Sequence, residues 1–159
     1  LDVFNGHEVY GSSTTFLDDV DGQAEFIIEW VRRDLLNIAF GNSDNHGRNT
    51  SFIKYDDRIS LAPIYDFAPM KADPETVTRT FTWGATLESG GEYRFADIAD
   101  SLSDLVDPQR LLRELRKTAI SLIDLRDRLA QRGVPTTILN FPSMSYQNLA
   151  EKFTRWGLL

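Results

Sequence analysis

The sequence predicts a mainly α-helical domain that carries one small β-hairpin. Several long segments repeat apolar residues at helical spacing, whereas only one short segment has the strand–turn–strand pattern of a hairpin. The chain has 159 residues, which is enough for one domain with its own hydrophobic core. Its 42% hydrophobic and 26% charged residues are ordinary proportions for a globular protein. We find no repeat and no internal linker, so one domain is expected.

The composition argues against several classes of protein. The chain has no cysteine, which excludes a disulfide framework and a thiolate zinc site and fits a reducing compartment such as the cytoplasm. A formal net charge of −7 disfavours broad attraction to nucleic acid or anionic lipid. No apolar run is long enough to cross a bilayer and no signal peptide opens the sequence, so we expect no membrane association. Because the first residue is not methionine, we also expect a fragment of a longer protein.

The first predicted helix runs from Ala24 to Phe40 and ends at Gly41. Residues 1–20 before it lack periodicity and are predicted to form a loop or short strands. Three acidic residues are candidates for the N-cap: Asp18, Asp19 and Asp21. Aromatic residues widen the apolar stripe of the helix, which is therefore expected to be buried on more than one side.

The predicted hairpin follows a polar loop. Residues 51–55 have the pattern of a strand, residues 56–58 that of a turn, and Ile59–Ala62 that of the returning strand. Pro63 ends the pairing because it has no amide hydrogen. The hairpin therefore carries the chain away from the polar loop and back, which would return Asp66 to the loop.

The remainder of the chain is predicted to be mainly helical. Residues 70–74 are expected to form a loop, residues 76–83 an extended segment and residues 89–91 a flexible turn. A short helical stripe covers residues 95–106, and Asp107 followed by proline predicts a new helix start. We expect that helix to continue to Gln131 and to be the longest in the chain. A last helix is predicted over residues 145–156.

The polar loop at residues 41–49 has the sequence Gly-Asn-Ser-Asp-Asn-His-Gly-Arg-Asn. It brings a carboxylate, an imidazole, a guanidinium and carboxamides into one short segment, which is unfavourable for a core and typical of a site. Asp44 and Asn49 have the spacing of the Asp-x-x-x-x-Asn loop of protein kinases, and Asp66-Phe67 follows where kinases place a metal-binding aspartate. In phosphoryl transfer one carboxylate orients the attacking hydroxyl, and further oxygen ligands hold magnesium.

The loop together with the segment Leu61-Ala62-Pro63-Ile64-Tyr65-Asp66 resembles the C-terminal domain of HipA-type serine/threonine kinases, the toxins of bacterial toxin–antitoxin pairs. The resemblance implies that residues 1–159 form the helical C-lobe of a protein-kinase-like two-lobed fold. It implies an ATP- and Mg²⁺-dependent kinase that phosphorylates serine or threonine in a protein, with aminoacyl-tRNA synthetases among the family's targets. A helix-turn-helix antitoxin would be its partner, and DNA would be contacted only through that antitoxin.

The same resemblance assigns roles to individual residues. Asp44 would be the catalytic base, and Asn49 and Asp66 would be the magnesium ligands. The nucleotide would be contacted by the following set: His46, Gly47, Arg48, Asn49, Tyr65 and Asp66. Ala68 stands where ordinary kinases have the glycine of Asp-Phe-Gly.

The sequence departs from a complete kinase in one respect. The chain has no glycine-rich phosphate loop, and Lys54, its first lysine, follows the predicted catalytic loop. The N-lobe with the ATP-binding lysine is therefore expected outside this chain, and the isolated chain is expected to be inactive. This absence also leaves open a non-catalytic lobe that binds an antitoxin or a separate N-lobe. A metal-dependent phosphoesterase using Asp44, His46 and Asp66 is a third reading, although two histidines supply a two-metal site poorly.

Taken one by one, the same residues also fit structural roles. The aspartates and Asn49 could serve as turn or capping residues, and His46 as a structural hydrogen-bonding residue. Arg48 could form an ion pair with Asp44, and Tyr65 could pack in the core.

Overall fold

The computed structural model describes residues 22–56, 59–75 and 78–159. Its first helix, α1, spans Gln23–Phe40 and ends at Gly41, whose φ of 71° is left-handed and favours glycine. The predicted helix and its stop are therefore confirmed. The N-cap is Gly22, without a side-chain hydrogen bond, so the expected aspartate cap was wrong. Those aspartates and the predicted segment 1–20 lie outside the described residues.

The predicted hairpin is confirmed, and a second one follows it. Strands β1 (Phe52–Lys54) and β2 (Ile59–Leu61) pair antiparallel, with Phe52 opposite Leu61. Strands β3 (Glu88–Ser89) and β4 (Glu92–Tyr93) form the second pair around a turn in which both glycines have positive φ. Our expectation of a single hairpin was wrong because strands of two residues are too short to show alternation. The predicted mainly α-helical fold class is confirmed.

Five further helices follow the second hairpin: α2 (Phe95–Ser101), α3 (Pro108–Ser121), α4 (Leu125–Gln131), α5 (Thr136–Leu139) and α6 (Leu149–Arg155). The predicted start at Asp107 is confirmed, because its carboxylate accepts the amide hydrogens of Gln109 and Arg110. Three 3₁₀ turns complete the helical structure: Gly47–Asn49, Met70–Ala72 and Tyr146–Asn148.

The expected single helix from Pro108 to Gln131 is divided between α3 and α4. The amides of Leu122 and Leu125 bond to carbonyls three residues earlier, at 3.0 and 3.1 Å, which tightens the turn. Both leucines are buried, so the break lets the chain change direction without exposing either one. The longest helix among the described residues is consequently α1, with 18 residues, and not the helix after Asp107.

The core lies where α1 and α2 both pack against α3. The inward residues of these helices are fully buried, as are Leu149 and Phe153 of α6. Burial of one such side chain contributes about 1.5–3 kcal/mol, so this core fixes α1 firmly and with it the loop at its C-terminus. None of the helices in the described part of the chain combines the length and apolarity needed to span a membrane.

Candidate active site

The polar loop is held in place by the end of α1. The amide of Asn42 donates to the carbonyl of Asn37 at 2.8 Å, and its side-chain nitrogen donates to Asn37 Oδ1 at 3.0 Å. Asn42 Oδ1 in turn accepts the amide hydrogen of Asp44 at 3.2 Å. Asn42 and Ser43 are buried, whereas Asp44 is partly open to solvent. The helix therefore fixes the backbone at Asp44 while leaving its carboxylate reachable.

Asp44, His46 and Asn49 form a contiguous polar group. Asn49 Nδ2 donates to the backbone carbonyl of Asp44 at 2.9 Å and to Asp44 Oδ2 at 3.3 Å. His46 Nε2 lies 3.3 Å from the other carboxylate oxygen, Oδ1. The 3₁₀ turn Gly47–Asn49 makes this possible by folding the chain back within five residues. One carboxylate is thus held between an amide and an imidazole.

These residues line a small cleft that also receives the segment after β2. Its wall includes Asp44, His46 and Asn49 on one side and Ile64, Tyr65 and Phe67 on the other. The Tyr65 hydroxyl donates to the carbonyl of Arg48 at 2.7 Å and lies 2.8 Å from Ser51 Oγ. Tyr65 therefore ties the returning chain to the loop rather than packing in the core.

The other three predicted site residues lie outside the wall of this cleft. Gly47 lines an adjacent depression under Trp30 and Phe81. Arg48 is exposed, and among the described residues no ion pair joins it to Asp44. Asp66 is exposed and does not line the cleft, although both of its chain neighbours do.

The backbone of Asp66 has a φ of 51°, the one positive value for a non-glycine residue in the described part of the chain. Such a conformation costs on the order of 1–3 kcal/mol and tends to occur at functional sites. The structure therefore marks Asp66 as unusual, and among the described residues no hydrogen bond or ion pair joins it to Asp44 or Asn49.

The oxygens available in the cleft suit a hard cation only in part. Asn49 Oδ1 accepts no hydrogen bond from any described residue, because the amide nitrogen faces Asp44. This oxygen is therefore free to act as a ligand.

Across residues 22–56, 59–75 and 78–159, no group of three or more His, Asp or Glu side chains is arranged to hold a metal. The reading as a phosphoesterase, which needs Asp44, His46 and Asp66 around metal, is therefore not supported. Magnesium commonly takes one or two protein ligands and completes its shell with phosphates and water.

Asn45 is a site residue that the sequence analysis did not single out. Its Nδ2 donates to the carbonyl of Phe81 at 2.9 Å, and its Oδ1 accepts the amides of Thr80 and Phe81 at 3.1 and 3.2 Å. The residue directly after Asp44 thus binds the 78–83 segment to the loop. The sequence feature that could have identified Asn45 was its position in the polar loop, next to the predicted base. A carboxamide at that position needs hydrogen-bond partners of its own.

A buried ion cluster holds the other end of the 78–83 segment. Arg79 donates to Asp34 at 3.1 Å and to Glu88 at 3.0 Å, and the Trp83 indole donates to Asp34 at 2.8 Å. Burial lowers the pKa of Arg79, but the Asp34 and Glu88 carboxylates outweigh it and the net shift is upward. The sequence did carry a signal, because Asp34 lies on the buried face of α1 between Val31 and Leu35.

Comparison with known proteins gives one match. A family model described as the HipA-like C-terminal domain matches residues 5–124, which is three quarters of the chain. No curated protein and no solved structure matches significantly.

Proposed function

The chain belongs to the HipA-like C-terminal domain family, and we propose that it is the catalytic lobe of an ATP- and Mg²⁺-dependent serine/threonine protein kinase. The pairing of Asp44 with Asn49 is the observation that carries the proposal. It joins the two polar residues of the Asp-x-x-x-x-Asn pattern through two hydrogen bonds at the end of a buried helix.

Asp44 is the proposed catalytic base. Its carboxylate lies at the cleft surface, and its two oxygens face Asn49 and His46 respectively. A carboxylate held in this way can orient a serine or threonine hydroxyl and accept its proton as phosphate is transferred. His46 and Asn49 restrict its rotation, which favours one productive geometry.

Asn49 is the proposed first magnesium ligand, through the oxygen that its bonds to Asp44 leave free. Asp66 is the proposed second ligand, and its left-handed backbone supports a role that demands an unusual conformation. Bound Mg²⁺ would neutralise charge on the phosphates of ATP. In this proposal the nucleotide is contacted by His46 and Tyr65 of the cleft wall and by Gly47 and Arg48 beside it.

The remaining half of the nucleotide site is proposed to come from an N-lobe. We propose a bacterial cytoplasmic protein whose partners are a helix-turn-helix antitoxin and a protein substrate such as an aminoacyl-tRNA synthetase. These assignments rest on family membership, since HipA-type proteins are associated with kinase toxins. DNA would be reached only through the antitoxin.

The test is transfer of labelled phosphate from ATP by this chain together with its N-lobe. Asp44→Asn preserves the size of the side chain and keeps one of its two acceptor oxygens but removes the base, and transfer should fall by about 100-fold or more with folding unchanged. Asp104→Asn, at an exposed position away from the cleft, is the matched control and should retain activity. Normal transfer by the Asp44 variant would refute the role of Asp44 as the base. Absence of transfer by the wild type with its N-lobe would instead favour the non-catalytic binding lobe.

A further inference from the structure

A second cavity adjoins the polar loop and shares no lining residue with the cleft. It has a volume of about 300 Å³, which lies at the lower end of the range for small-molecule sites. Its wall contains four hydroxyl side chains and two cationic ones: Ser43, Thr78, Tyr93, Ser143, Lys71 and Arg79. We refer to it as the Lys71 cavity.

Lys71 is the cation available to a ligand there. Among the described residues its ammonium group has no ion pair or side-chain hydrogen bond, although burial lowers the pKa of Lys71. Its backbone is nevertheless fixed, because its amide donates to the carbonyl of Gly41 at 2.9 Å and its carbonyl accepts the Ser143 hydroxyl. A half-buried lysine on a fixed backbone without a direct ion pair is unusual, since buried charges are normally paired.

Most other polar groups of the wall already have partners or are out of reach. The Glu88 carboxylate, which also lines the cavity, is bonded to Arg79 and to the amide of Trp83. Ser43 Oγ and Arg79 Nη1 make no hydrogen bond with another described residue, but both atoms are closed off from solvent. The Lys71 ammonium group and the hydroxyl of the exposed Thr78 are therefore the donors that a ligand in the cavity would meet.

We propose that the Lys71 cavity binds a small oxyanion, a phosphate or carboxylate group. The Lys71 ammonium would supply the charge, and the Thr78 hydroxyl would supply a directional hydrogen bond. The proposal is independent of the kinase assignment, because it uses none of the cleft residues. Ser43 directly precedes Asp44, so a bound oxyanion would lie against the same loop that carries the proposed base.

Calorimetric titration of the 159-residue chain with inorganic phosphate tests the proposal. We expect saturable binding that Lys71→Met, which keeps the length of the side chain, weakens by about tenfold or more. Lys71→Arg should restore most of the affinity. Lys117→Met is the matched control, since Lys117 lies on α3 and pairs with Glu114. It should bind phosphate as the wild type does.

Two further measurements locate the ligand. Asp44→Asn should leave phosphate affinity unchanged if binding occurs in the Lys71 cavity and not in the cleft. Thr78→Val, which removes an exposed hydroxyl of the cavity wall, should reduce it without unfolding the chain, as judged by circular dichroism. Titration with acetate and with a phosphoserine peptide then distinguishes free phosphate from a carboxylate or a phosphorylated side chain as the preferred source. Absence of phosphate binding by the folded wild type, or equal binding by wild type and Lys71→Met, would overturn the proposal.

Discussion

The side-chain amide of Asn49 donates to both the backbone carbonyl and the carboxylate of Asp44, at 2.9 and 3.3 Å. One side chain therefore fixes the loop backbone and orients the acidic group. The same bonds determine which atom of Asn49 remains free, so the side-chain carbonyl oxygen is the one without a partner among the described residues. This contact gives the spacing of five residues between Asp44 and Asn49 a structural role.

We expect both Asn49→Ala and Asn49→Asp to reduce phosphoryl transfer by about 100-fold when the N-lobe is supplied. Alanine removes both hydrogen bonds and the oxygen ligand. Aspartate keeps oxygens but has no N–H donor and brings a second negative charge beside Asp44, which repels it. Steady-state kinetics with labelled ATP measure the effect, and the exposed Asn148→Ala is the control. Wild-type rates for Asn49→Asp would show that the donor to Asp44 is dispensable.

Asn45→Ala should release the 78–83 segment from the loop. The substitution removes three hydrogen bonds to Thr80 and Phe81, and we expect a loss of about 1–3 kcal/mol in the free energy of unfolding. Amide hydrogen exchange at these two positions should accelerate, because both amides lose their acceptor. Asn45→Asp keeps that acceptor and should protect the two amides better than alanine does. Unchanged exchange in Asn45→Ala would contradict the role of this side chain.

Arg79→Met should be among the most destabilising single substitutions in the chain. It leaves Asp34 and Glu88 buried without a counter-ion, at a cost of about 3–5 kcal/mol in urea unfolding. Replacing all three residues, as Asp34→Asn, Arg79→Met and Glu88→Gln together, should recover part of that loss because no charge remains unpaired.

Arg155→Ala is the control for this cluster, since its ion pair with Glu92 has both side chains about half exposed. It should cost less than about 1 kcal/mol. Equal effects of the Arg79 and Arg155 variants would mean that burial does not strengthen the Arg79 cluster.

Tyr146 gives a prediction for the dependence of stability on pH. Burial raises the pKa of Tyr146 from 10.0 to about 12, and its hydroxyl donates to the carbonyl of Phe40 at 2.9 Å. Below pH 10 the neutral phenol stabilises the fold, and Tyr146→Phe should cost about 1 kcal/mol there. Between pH 10 and 12 the unfolded chain ionises while the folded chain does not, so this contribution falls as pH rises.

The difference in unfolding free energy between wild type and Tyr146→Phe should accordingly shrink across that interval. Urea titrations of both proteins at pH 8, 10 and 11 measure it. Because Tyr93 and the buried lysines are common to both proteins, their titration largely cancels in the difference. A gap that stays constant or grows with pH would contradict the burial of the Tyr146 hydroxyl.

Local signals allowed several parts of this structure to be predicted. The extent of α1, its end at Gly41 and the helix start at Asp107 follow from apolar periodicity and capping chemistry, which act within a few residues. The first hairpin was predictable for the same reason. The break between α3 and α4 was not, because the helical pattern of leucines continues through it and only packing of Leu122 and Leu125 decides the change of direction.

The candidate site also has parts that the sequence predicted and parts that it did not. The sequence by itself determined which residues form the polar loop and that Asp44 and Asn49 are spaced as in kinases, because that spacing is a local property of the chain. Only the tertiary structure decided that Asn45 binds the 78–83 segment, that Arg79 joins Asp34 to Glu88, and that Lys71 lines a cavity beside the loop. Most of these contacts join positions tens of residues apart, and such pairs are selected by burial and hydrogen-bond satisfaction across the whole fold.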